Sequence, residues 1–219
     1  MPGKNKARLH GRPLYAWTVK AALAAGVFSA IIFSTDDGEI IEELKGQPQL
    51  IVDARPKKLA DAQASMWEVG EYVLGRYPAA ASAAGSVCFI TPCHPFRTAG
   101  HISQAFQRYT DSAADALVSV TEFPSPPSLF LELVEGRLKR NWEGLIRGAE
   151  HPTRYYPNGA ITIIDQALFR VHKNPYSSHT IGFEMDWPDC LDIDQPKDLE
   201  LARRLAPLLL GAGDAGGTR

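Results

Sequence analysis

Two aspartates two positions apart, Asp192 and Asp194, stand just ahead of the apolar-periodic run Leu199 to Leu210. In an extended segment, side chains two apart face the same way, so both carboxylates point to one side. A pair of hard oxygen ligands on one side suits a Mg²⁺ ion that also holds phosphate oxygens. The same stretch admits a plainer role. Pro196 and the acids make a good helix start, with Leu199, Ala202 and Leu205 on one face.

The elements that must position such a pair follow an alternating pattern. Pro13 to Ala25 has the apolar face Leu14, Trp17, Ala21 and Ala24 and ends at Gly26, which predicts a helix. Ala30 to Phe33 is a short buried strand, turned by Ser34 to Gly38 into a helix over Glu39 to Leu44. Gln49 to Val52 is a second strand, Gln63 to Tyr77 a helix and Ser86 to Ile90 a third strand. The loop Thr91 to Arg97 follows, and its two prolines forbid ladder pairing. Ala99 to Tyr109 is a helix, Ala116 to Thr121 a fourth strand and Ala160 to Ile164 a fifth. Short strands alternating with helices predict an α/β fold with a largely parallel sheet, and ligands collect outside the carboxyl ends of such strands. Those ends carry Thr35, Asp36, Arg55, Thr91 and Arg97.

The rhythm breaks over 123–156. Leu129 to Val134, Glu135-Gly136 and Arg137 to Arg140 predict a hairpin with a two-residue turn. An arm that cannot bury its own apolar face buries it on a second subunit. The chain therefore divides into a core over 1–122, a hairpin arm over 123–156, the rest of the core over 157–210, and a Gly-rich tail over 211–219 that is expected to fray.

Composition narrows the function classes. The chain has 219 residues, 45% hydrophobic and 22% charged, with a formal net charge of −2. That carries no bias toward nucleic acid or another polyanion. No apolar run approaches the ~18 residues of a membrane span, so a membrane partner is not expected and a cytoplasmic location is the default. Cys88, Cys93 and Cys190 show neither a disulfide framework nor zinc-ligand spacing, and the six histidines show no ligand spacing either. His94, between two prolines, reads as an inert surface residue.

Several stretches then carry a resemblance as an ordered set. They are Pro2-Gly-Lys-Asn5, Gly11-Arg-Pro-Leu-Tyr-Ala-Trp-Thr18, Phe33-Ser-Thr-Asp-Asp37, Arg55-Pro56 with Ala64-Ser65, Pro92 to Thr98, Pro157-Asn-Gly-Ala-Ile161 and Asp192-Ile-Asp194. Together, over Pro2 to about Ala206, they resemble the acylneuraminate cytidylyltransferases, the CMP-sialic acid synthetases and their nonulosonate relatives. The resemblance implies a Rossmann-like nucleotidyltransferase sheet with helices on both faces and a dimerisation arm. It implies transfer of CMP from CTP to a nine-carbon 2-keto sugar acid with release of pyrophosphate, by a homodimer. Asp192 and Asp194 would hold Mg²⁺, Lys4 would offer a point charge to the triphosphate, and Asn5 a hydrogen bond. Arg55, Ala64 and Ser65 fall where the family contacts the cytidine. Thr91, Arg97, Asn158 and Gly159 fall at its sugar site.

Departures from the pattern accompany the likeness. A strand and a phosphate-wrapping loop precede the equivalent of Pro2 in the family, so the first strand, which lies between the equivalents of Ala30–Phe33 and Ser86–Ile90, is expected to be missing. A gap between those two strands follows, and little synthetase turnover. Thr91 stands for a usual Gln, Cys93-His94 for Thr-Ser, Tyr156 for Arg, Thr162 for Tyr and Met66 for Ser, while Asp61 comes one place early. Two alternatives stay open: another sugar nucleotidyltransferase on the same fold, and a non-catalytic ligand-binding or dimerising homologue.

Overall fold

The computed structural model describes residues 1, 3–61, 63–82, 85–124, 131–140 and 153–211. Expectations that fall on Pro2, on 125–130 and 141–152 of the arm, and on the tail 212–219 lie outside the described residues. The elements in chain order begin with a 3₁₀ turn (Lys4–Lys6), a short ribbon β1 (Arg8–Leu9) and β2 (Arg12–Pro13), and α1 (Leu14–Ala25). Then come β3 (Ile32–Thr35), α2 (Gly38–Leu44), β4 (Ile51–Ala54), α3 (Met66–Arg76), α4 (Pro78–Ser82) and β5 (Ser86–Phe89). The second half runs α5 (Ala99–Asp111), β6 (Ala116–Glu122), β7 (Leu131–Val134), β8 (Arg137–Arg140), β9 (Tyr155–Asp165), α6 (Gln166–His172), β10 (Thr180–Glu184) and α7 (Pro196–Leu209).

Local chemistry sets the helix ends. Gly26 takes the left-handed conformation that closes α1. Ser65 opens α3 through a reciprocal capping box with Glu68, three residues later than the apolar pattern predicts. The delay has a cause: Asp61 Oδ1 accepts from the backbone of Gln63 and Ala64, holding them in a turn.

The sheet is mixed rather than largely parallel. Four strands order as β10-β6-β9-β5, with β10 parallel to β6 and β9 antiparallel to both of its neighbours. The chain leaves β6 at its carboxyl end and re-enters β9 at that same end, which forces the antiparallel direction. Successive residues face opposite layers. Leu117, Ile161 and Ile163 pack with Ile102 and Ala105 of α5, whereas Ala116 and Ile164 pack with Leu74 of α3 and Phe169 of α6. Helices thus cover both faces, as expected of the α/β class.

β3 and β4 form a separate parallel pair. Among the described residues β3 ladders only with β4 and β5 only with β9, so no direct pairing joins Ala30–Phe33 to Ser86–Ile90. The hairpin also forms. β7 and β8 pair antiparallel, and Glu135 and Gly136 both have positive φ, as a two-residue primed turn requires.

One apolar cluster matters most for function. Leu9 of β1, Leu14 and Trp17 of α1, Phe96, Ile193, and Leu199, Ala202 and Ala206 of α7 pack together. Ile193 is fully buried there, and burial of such a side chain contributes about 1.5–3 kcal/mol.

Candidate active site

The burial of Ile193 places the two aspartates. With Ile193 turned into the apolar cluster, its neighbours Asp192 and Asp194 must both face outward. Ile193 N–H also donates to the Cys93 carbonyl at 2.9 Å, which fixes the Asp-Ile-Asp segment against the loop that follows β5. The plainer role for the pair, capping α7, is filled by other residues. Gln195 is the N-cap, and Asp198 Oδ2 accepts from the backbone of Asp194 at 3.1 Å and Gln195 at 2.7 Å. The Asp192 and Asp194 carboxylates are left for something else.

Lys4 reaches them from the opposite end of the chain. Its 3₁₀ turn is tied down behind it: Leu14 N–H donates to Ala7 O at 3.0 Å, and Trp17 Nε1 donates to Leu9 O at 3.0 Å. The same apolar cluster therefore anchors both partners of the ion pair, in which Lys4 Nζ lies 2.7 Å from Asp194 Oδ1. Ligand atoms of Cys93, Asp192 and Asp194 lie within 4.8 Å of one another.

The protonation states follow from this crowding. Burial by itself would depress the Lys4 ammonium, but hydrogen bonds to Asp194 and Cys93 outweigh it and raise its pKa. The Lys4 hydrogen bond holds Asp194 below the usual carboxylate range. Asp192 goes the other way. Its residue keeps access to solvent, yet partial desolvation of the carboxyl and then the charge of Asp194 push its pKa up to about 6. Burial raises the Cys93 thiol, with Lys4 acting against it.

A second polar group lies on the other side of the Thr91–Arg97 loop. Between Val118 and Val120, Ser119 of β6 faces an irregular stretch of β9 that contains Asn158 and Gly159. Asn158 is held there: its Oδ1 accepts from Ser119 Oγ and Ala160 N, and one Nδ2 hydrogen is donated to Thr121 Oγ1 at 2.9 Å. Gly159 has φ +76°, a backbone conformation that favours glycine, and a Cβ there would sit in ordinary contact with the His94 ring. Arg97 is 2% exposed and donates to Ala160 O at 2.7 Å, Thr18 Oγ1 at 2.8 Å and Thr91 O at 3.1 Å. Burial lowers its pKa to about 10, and its Nε has no hydrogen-bond partner among the described residues.

His94 is no surface residue. It is 2% exposed, with Nδ1 3.1 Å from Thr91 Oγ1 and Nε2 2.9 Å from Asn158 O. Since Nε2 faces a carbonyl it carries the proton, and Nδ1 accepts from the threonine. Burial and then the Arg97 charge lower its pKa to about 4, so the ring is neutral near pH 7.

The nucleotide-contacting expectations fare differently. Arg55 spends its guanidinium on Ser34, donating from Nε to Oγ at 3.3 Å and from Nη2 to the carbonyl. Ser34 Oγ in turn donates to the buried Asp53, which also holds Arg76 and Tyr77. The Ser65 hydroxyl is occupied by its capping box, and Ala64 by the Asp61 turn. Asn5 is half-buried beside Lys4. Among the described residues no hydrogen bond or ion pair joins Arg55, Ala64 or Ser65 to the Lys4–Asp194 group. The structure brings Thr91, Arg97, Asn158 and Gly159 together around the Thr91–Arg97 loop, with His94, Thr18 and Ser119 bonded among them.

Comparison with known proteins decides the family. The cytidylyltransferase family model matches residues 1–211. The chain belongs to this family of enzymes. An N-acylneuraminate cytidylyltransferase of Escherichia coli O18:K1:H7 is 30% identical over 213 residues, covering 91% of this chain and 47% of that protein. A pseudaminic acid cytidylyltransferase of Campylobacter jejuni is 24% identical over 210 residues, covering 94% of this chain and 90% of that one. The chain spans about half the length of the N-acylneuraminate relatives it matches. In fold it is similar to a CMP:2-keto-3-deoxy-manno-octonic acid synthetase solved with CTP, with TM-score 0.67 and 15% identity over 95% of this chain and 93% of that one. No helix among the described residues is long and apolar enough to cross a membrane.

Proposed function

We propose that the protein transfers CMP from CTP to a nonulosonic, sialic-acid-like 2-keto sugar acid and releases pyrophosphate. The observation that carries this reading is the meeting of Lys4 with Asp192 and Asp194 beside the Cys93–Arg97 loop, in a chain of this family. Two crowded carboxylates are a poor seat for a polyanion by themselves. With a divalent cation between them they become a good one, and the outward-facing oxygens suit Mg²⁺. Bound there, the ion would neutralise phosphate charge and favour ionisation of the sugar hydroxyl.

The protein's own groups do the positioning. Lys4 supplies a mobile point charge toward the phosphates. The sugar wall is Thr91, Asn158 and Gly159, held from behind by neutral His94 and cationic Arg97. Arg97 has no carboxylate partner among its contacts, so its field favours an acid over a neutral sugar. In the reaction the anomeric oxygen forms the new bond to the α-phosphorus, the α–β anhydride bond breaks, and pyrophosphate leaves. Catalysis on this account is orientation and charge neutralisation.

The hairpin supports a homodimer. Leu131, Leu133 and Leu138 share one face and are 47%, 70% and 69% exposed, an apolar strip without cover among the described residues. Light scattering should give a dimer at micromolar concentration, and a monodisperse monomer would contradict it. For the reaction, the chain at concentrations near those of its substrates is incubated with CTP, Mg²⁺ and sialic, legionaminic or pseudaminic acid. A CMP-sugar is expected in the ³¹P NMR spectrum with at least one acid, even at slow turnover. No product with any of them overturns the reading.

A further inference from the structure

Cys93 adds a ligand that Mg²⁺ does not ask for. Its sulfur and one carboxylate oxygen from each of Asp192 and Asp194 lie within 4.8 Å of one another. Around a tetrahedral ion with bonds of about 2.0–2.3 Å, ligand atoms sit roughly 3.5 Å apart, so a closure of about 1 Å would complete the set. The Ile193–Cys93 backbone hydrogen bond holds the two segments in register, and Ile193 is buried, which makes the aspartates flank the cysteine.

The surroundings of the thiol separate this from a cysteine packed as a small apolar residue. Cys93 lies beside two carboxylates, one of which, Asp194, holds the Lys4 ammonium at 2.7 Å. Lys4 thus already acts as the cation that this cluster attracts. A disulfide does not claim the sulfur, since Cys88, Cys93 and Cys190 are all free.

We infer that Cys93 is a third protein ligand beside Asp192 and Asp194, and that this site takes a sulfur-accepting divalent ion of the Zn²⁺ and Co²⁺ class in preference to Mg²⁺. The inference rests on the reading of the two aspartates as a cation site. Carboxylate oxygens serve Mg²⁺ and Zn²⁺ alike, but a thiolate strongly favours the softer ion. Three protein ligands leave a fourth position open, the arrangement of ions that also contact substrate. On binding, the S–H bond gives its proton to solvent as the sulfur–metal bond forms. No electron changes hands. Lys4 loses its place against Asp194 and becomes available to phosphate.

The test uses the full chain, reduced and stripped of metal, titrated with Co²⁺ and followed optically. A near-ultraviolet thiolate-to-cobalt charge-transfer band should grow and saturate at one ion per chain, and Zn²⁺ should bleach it. Cys93→Ser should lose the band and bind Zn²⁺ on the order of 10–100-fold more weakly, with its fold verified by circular dichroism. Cys190→Ala should keep the band. Cobalt bound with visible ligand-field bands but no thiolate band, or unchanged Zn²⁺ affinity in Cys93→Ser, overturns the inference while leaving the aspartate site standing. Failure of every divalent ion to bind overturns both.

Discussion

Two polar groups share the Thr91–Arg97 loop, and they differ in how their charges are met. On the side proposed for the sugar, Arg97, His94 and Asn158 are buried and tied to backbone carbonyls, hydroxyls and each other. On the side proposed for the metal, partial desolvation and the Asp194 charge push the Asp192 pKa up to about 6, and Asp194 relies on one partly exposed lysine. The first group meets its hydrogen-bonding needs within the chain apart from Arg97 Nε; the second rests on a single lysine. A densely bonded buried network fixes shape, whereas crowded carboxylates with a raised pKa mark a place for chemistry.

Substitutions should separate the two. The largest effect belongs to the metal side: Asp192→Asn and Asp194→Asn should each lower CMP-sugar formation by about 100-fold or more without unfolding the protein. Near-full rates with Mg²⁺ present would remove the metal assignment. Arg97→Met should instead act on stability. It strands the acceptors on Ala160, Thr91 and Thr18 and should cost about 3 kcal/mol or more in denaturant unfolding. A loss under 1 kcal/mol would mean that Arg97 is not the brace its contacts suggest.

His94 gives a pH test of the densely bonded side. Its folded pKa of about 4 lies below its ordinary 6.5, so its contribution is complete above pH 6.5 and is lost as pH falls through about 4. The loss should be about 3 kcal/mol, set by a shift of some two units. Asp192, shifted upward, changes stability in the opposite sense over part of that window. The measurement therefore compares wild type with His94→Asn, which should show a shallower acid limb. Equal slopes would place His94 outside the network.

The smallest expected change is a gain. Asp192 favours the folded state least when ionised, above its pKa of about 6. In metal-free protein at pH 8, Asp192→Asn should raise stability by about 1 kcal/mol, a modest figure because the carboxyl keeps solvent access. A drop in melting temperature would show that Asp192 is already satisfied without a cation.

The parts of this molecule that rest on local chemistry were legible in the sequence. α1 with its closing Gly26, the Glu135-Gly136 hairpin and the outward pair Asp192 and Asp194 all follow from spacing and turn residues. What was hidden depends on contacts far apart in the chain. Cys93 and His94 carry no motif, and their roles exist only because Ile193 and Asn158 fold onto their loop. β10 was missed for a related reason. Gly182 weakens its strand pattern, yet it sits where Val120 of the neighbouring strand comes within 3.3 Å of where a side chain would begin, so a larger residue would have to push Val120 aside. That β3 and β5 would not pair with each other was expected only through the family resemblance, since each strand by itself reads as ordinary and buried.

The central claim is that the Lys4–Asp194 end of the site binds a nucleotide triphosphate only together with a divalent cation. Calorimetric titration of the full chain with CTP, in Mg²⁺ and then in EDTA, tests it most directly. CTP should bind in Mg²⁺, weaken at least tenfold in EDTA, and lose that difference in Asp192→Asn. CTP affinity that is the same in Mg²⁺ and EDTA would contradict the account.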